Sequence, residues 1–71
     1  MKAYQKRFIE EYNQLTERLS KLDAMLDKHA KGTLSFEPDS PIKLFHEQRR
    51  VMAQYVDILE LRAKFEGIDL E

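Results

Sequence analysis

The chain contains no cysteine among its 71 residues. That one absence removes disulfides, thiolate metal ligands and cysteine nucleophiles together, and it fits a reducing compartment. No apolar run approaches the roughly 20 residues of a membrane span, and the opening MKAYQKRF lacks a signal-peptide core. The expectation is a protein of the cytoplasm with no membrane partner. There is no excess of positive charge either: 12 Lys and Arg stand against 13 Asp and Glu, for a net charge of −1. A binder of nucleic-acid polymers needs a clearly basic face, so that class is disfavoured, while a compact site for a small anion remains open. Catalytic signatures are missing as well. The chain has no glycine-rich phosphate loop, no HExxH and no supported Ser–His–Asp set, and Glu10 and Glu11 diverge on a helix. Neither His29 nor His46 follows a Glu at the three-residue spacing of helical di-iron sites. The reading is no enzyme, no metal and no cofactor.

What is present is helical periodicity. Phe8, Tyr12, Leu15, Leu19, Leu22 and Leu26 are spaced 4-3-4-3-4, a narrow coiled-coil seam, and His29 extends it by one step. No proline or glycine interrupts this segment until Gly32, which suits a left-handed C′ position, with Lys28 and Lys31 placed to favour the helix dipole. TLSFEPDS (33–40) breaks the period. Ser40 then offers a side-chain cap and Pro41 an N1 residue for a second helix that ends near Gly67. The fold class predicted is all-α: an antiparallel two-helix hairpin, about 2–31 and 41–66, in one domain spanning 1–71, assembling into a helical-bundle homo-oligomer. Leu34 and Phe36 in the connection are expected to plug the closed end or to dock on a neighbouring subunit.

The assembly is inferred from the second helix. Leu44, Val51, Ile58 and Phe65 form one heptad rail and Phe45, Met52 and Leu59 another, with Gln48, Tyr55 and Arg62 as a polar line between them. At about 100° per residue the three lines span roughly 120° of one face. Helix 1 offers only one seam, so one rail is left for a second partner; Leu44, Val51, Tyr55, Ile58 and Phe65 are the candidate oligomer interface. The polar line is expected to be buried, either locking the register of the assembly or flooring its pockets, with Arg62 paired to Glu11 and close to Phe8. At the open end Lys2, Lys6, Arg7, Arg62 and Lys64 gather around Tyr4. Cations beside an aromatic ring suit a phosphate and a stackable base, and the N-terminus of helix 1 favours anions. Arg49 and Arg50 make a second cationic spot. Ordinary solvated charge accounts for both clusters equally well in kind.

RFIEEYNQLTERLSKLDAML, a short insert and then LFHEQRRVMAQYVDILELR together resemble the phage helical-hairpin family of nucleotide sponges, which includes the anti-CBASS sponge and the hairpin portion of an anti-Thoeris sponge. The likeness covers about 60 residues and lies in Glu11, Tyr12, Leu15, Leu19 and Leu22, and in Leu44, Gln48, Met52, Tyr55, Leu59 and Arg62. It implies a non-enzymatic phage anti-defence protein, a dimer to hexamer, in the bacterial host cytoplasm. Such a protein sequesters cyclic oligonucleotides or cyclic ADP-ribose isomers between protomers. The candidate ligand-binding residues are Tyr4, Lys6, Arg7, Tyr12 and Arg62. The alternative is an oligomeric interaction module or small phage regulator that uses the second apolar rail.

Overall fold

A computed structural model describes residues 2–70. Helix α1 (Ala3–Ala30) and helix α2 (Ile42–Glu66) pack antiparallel into a rod of 44 × 18 × 17 Å, with no strand among the described residues. Both helices match the predicted spans to within one residue at each end. At about 1.5 Å per residue they are roughly 42 and 38 Å long, so they run side by side for nearly their whole length.

The ends of the helices follow from local chemistry. At the start of α1 the Gln5 side chain reaches back to accept the Lys2 backbone N–H at 3.0 Å, satisfying a donor that the helix itself leaves open. Gly32, at φ +71°, takes the left-handed position after α1, and Thr33 N–H closes back on the Lys28 carbonyl at 2.9 Å. The start of α2 differs from expectation: Pro41 sits in the capping position with no side-chain cap, so Ser40 does not cap. Proline has no N–H to lose there, and its carbonyl accepts from Leu44 N–H at 2.9 Å. Gly67, at φ +68°, ends α2 in the left-handed region, and the Ile68 N–H turns back to the Ala63 carbonyl at 2.9 Å. This is a Schellman closure, with Ile68 folded onto Ala63 as that motif favours.

The core lies at the open end. Phe8, Leu59, Ala63 and Ile68 are buried together, with Ile9, Tyr12, Leu15 and Leu70 packed against them; Leu59 is wholly buried, at 0% exposure. Leu26 is the buried residue nearer the loop. The seam of α1 is as predicted: all six of its residues are buried or half-buried.

The two rails of α2 divide as expected, and the inner seam is wider than the rail alone. Phe45, Met52 and Leu59 do turn inward, but they share the seam with Val56 and Ala63, at the spacing 45-52-56-59-63. The small Ala63 side chain lets Phe8 and Ile68 close over it. Leu44, Val51, Ile58 and Phe65 are exposed, and Phe65 most of all at 89%. In the single hairpin the polar line is exposed too: Gln48, Tyr55 and Arg62 lie at the rim of the hairpin contact. In the loop Leu34 is half-buried, but Phe36 is exposed and does not plug the closed end; His29 is exposed as well.

Candidate functional site

The two helices meet at the open end around Phe8. The Arg62 guanidinium lies over the Phe8 ring at 4.9 Å from its centroid, a cation–π arrangement that fixes the charge against the end of the core. The expected partner, Glu11, is not the one Arg62 takes. Its Nε donates instead to Glu66 Oε2 at 3.0 Å, one turn along the same helix. A partner at i+4 is always within reach, whereas Glu11 is held elsewhere. The two terminal nitrogens of the guanidinium stand outside that bond, and their fork suits a phosphate or carboxylate.

Glu11 accepts a hydrogen bond from the Tyr55 hydroxyl. Its neighbour Tyr12, about 100° further round α1, donates to Glu60 Oε2 at 2.6 Å. The pairs are reciprocal: each helix contributes one tyrosine and one glutamate, and the two bonds run along opposite flanks of the hairpin, on either side of Leu59. Both phenols are pushed above their ordinary value of 10.0. The hydrogen bond to the carboxylate is the main cause, since an acceptor anion disfavours phenolate. Partial burial and the glutamate's negative charge add to it; at Tyr55 the nearby Arg62 cation works the other way.

These bonds sort the candidate ligand-binding residues by flank. Arg7 stands one turn before Glu11, and Tyr4 one turn before Phe8, so both share the Tyr55–Glu11 flank with Arg62. Tyr12 belongs to the other flank, and Lys6, stacked one turn before Glu10, lies on the back of α1. The structure therefore gathers Tyr4, Arg7, Tyr55 and Arg62, and separates Lys6 and Tyr12 from them. Cavities near this end are lined by Asp57, Glu60, Leu61 and Lys64, about 350 Å³, and by Gln5, Gly67, Ile68 and Asp69, about 270 Å³. None of the five candidates lines either.

The second cationic spot is neutralised. Arg49 pairs with Asp23 across the hairpin and Arg50 with Glu47 on its own helix, which draws the Glu47 carboxyl below its usual value. Among the described residues no group of three or more His, Asp or Glu side chains is placed to hold a metal ion. No described helix is long and apolar enough to cross a membrane. What this end can do chemically is bind: a cation with an open fork lies on an aromatic ring, beside an exposed tyrosine and a second arginine.

The family model described as Sequestin matches residues 2–65 of the chain. No curated protein and no solved structure matches it.

Proposed function

The chain belongs to the Sequestin family, and on that premise we propose that it is a phage anti-defence protein that captures a cyclic nucleotide immune signal in pockets between protomers and holds it uncleaved. The family implies a binding rather than a catalytic role, directed at small signalling molecules. The ligand class is a cyclic oligonucleotide or a cyclic ADP-ribose isomer, and the place of action is the cytoplasm of the bacterial host. The observation that carries this reading is Arg62 stacked on Phe8 with its terminal nitrogens open. In that arrangement Arg62 takes a phosphate, Arg7 adds charge on the same flank, and Tyr4 offers a ring to a base. Lys6 and Tyr12, on the back of α1 and on the opposite flank, stand outside this proposed site. Leu44, Val51, Tyr55, Ile58 and Phe65 form the oligomer interface; the exposure of all five supports that role.

A thermal-shift panel of cyclic dinucleotides, cyclic trinucleotides and cyclic ADP-ribose isomers at high excess tests the proposal. A true ligand raises the melting temperature with the logarithm of its concentration over Kd. Arg62→Ala is expected to abolish the shift; a simultaneous fall in the sedimentation coefficient would assign Arg62 to the register of the assembly instead. No shift with any compound, on a confirmed oligomer, would remove the ligand reading. The exposed rail also favours a second reading, an interaction module that offers this face to a host protein. A chain that sediments as a monomer at high concentration would point there.

A further inference from the structure

From the distribution of exposed apolar residues we propose that two copies pair α2 against α2, antiparallel and about a two-fold axis, with Phe65 of each copy seated in the notch at Pro41 and Leu44 of the other. This rests on the self-assembly reading above and specifies its geometry.

The exposed residues of α2 follow a heptad seam of their own: Leu44, Gln48, Val51, Tyr55, Ile58, Arg62 and Phe65 alternate four and three apart. Such a seam fits a helix with the same repeat. Outside it, the large exposed apolar side chains are Tyr4, Phe36 and Leu61. The outer face of α1 carries no apolar stripe, so among the described residues the one surface of a second copy that matches the rail is the rail itself. A face that meets its own copy does so about a two-fold axis.

Charge sets the direction. A parallel pairing would bring Arg62 of both copies into one layer at the apolar seam, where like charges repel most strongly. In the antiparallel registers that overlap most of the rail, Arg62 stands opposite an apolar residue of the other copy, either Leu44 or Val51. The ends of the rail choose between these. Phe65 projects almost bare from the last turn of α2, at 89% exposure. At the first turn of the same helix an apolar notch of about 450 Å³ is lined by Pro41, Lys43, Leu44 and Glu47. The register that faces Arg62 with Leu44 also faces Val51 with Tyr55 and Phe65 with Pro41, so ring and notch meet twice, once at each end. The alternative register leaves Phe65 opposite Gln48 and the notch empty. In the chosen register Lys43 of the second copy lies beside Arg62, so the anion site gains a cation from the other chain.

The absence of native cysteine makes disulfide trapping clean. Leu44→Cys and Arg62→Cys chains are prepared separately, mixed under oxidising conditions and compared with each chain alone, with sedimentation of the unmodified protein as the reference. The expected result is a Leu44→Cys/Arg62→Cys cross-link, since facing seam residues come within the Cα separation a disulfide needs, with little cross-linking of either chain alone. Cross-linking of Leu44→Cys to itself, or no mixed product from a protein that sediments as an oligomer, would overturn the pairing and leave self-assembly intact. A monomer at high concentration would overturn both. Phe65→Glu is expected to weaken dimerisation at least tenfold with unchanged helical circular dichroism; an unaffected dimer would reject the seated ring.

Discussion

Leu59 is the residue on which the hairpin depends most. Chains of this size rarely draw more than about 3–5 kcal/mol from their core, and Leu→Ala at a fully buried site costs about 3–5 kcal/mol. Leu59→Ala is therefore expected to leave the chain largely unfolded at room temperature, read as loss of helical circular dichroism. Ile58→Ala, on the exposed rail next to it, should leave the fold intact. The tyrosine–glutamate pairs carry a pH signature of opposite sense to acid denaturation. Their folded-state phenol pKa values lie above the ordinary 10.0, so the stabilisation is fully present below pH 10 and is lost as pH rises through the raised values. Thermal melts are expected to be flat from pH 7 to 9 and to fall above 10, and Tyr12→Phe combined with Tyr55→Phe should flatten that fall.

At the scale of the element, the closure of α2 is a small structure with separable parts. A Cβ added at Gly67 would meet nothing within 4 Å, so Gly67→Ala should cost only the left-handed backbone, about 1 kcal/mol. Ile68→Ser removes buried apolar surface and should cost about 2 kcal/mol; urea unfolding of both variants measures the difference. The helices themselves were legible in the sequence because their heptads are regular and Gly32, Pro41 and Gly67 punctuate them. So was the division of α2, because its two heptad rails and the single seam of α1 leave Leu44, Val51, Ile58 and Phe65 outward once Phe45, Met52 and Leu59 meet α1. The share of Val56 and the small Ala63 in the inner seam was not legible, because neither stands out in a search for large side chains. Ile68 was hidden because it reaches the core through a left-handed turn instead of a helical period. At the site, the approach of Arg62 to Phe8 could be read from antiparallel register alone. The choice of Glu66 over Glu11 could not, because it depends on Tyr55 having already taken Glu11.

At the scale of the whole molecule, the hairpin is a rod with one finished side and one unfinished side. Assembly through the rail predicts that Val51→Glu lowers the sedimentation coefficient while leaving secondary structure unchanged. The same substitution at Gln54, off the seam, should leave both unchanged.

The buried cluster also sits at the end of the rod farthest from the loop. Phe8 joins Leu59, Ala63 and Ile68 across a separation of more than 50 residues, while the turn-proximal half of the hairpin is held mainly by half-buried side chains and Leu26. Zipping from the turn therefore gains little at first, and the chain must close a large loop before its strongest contacts form. Opening follows the reverse order. Amide hydrogens of the residues flanking the loop are expected to exchange sooner than those around Ala63. In this hairpin the open end is the clasp, and the turn is the part that breathes.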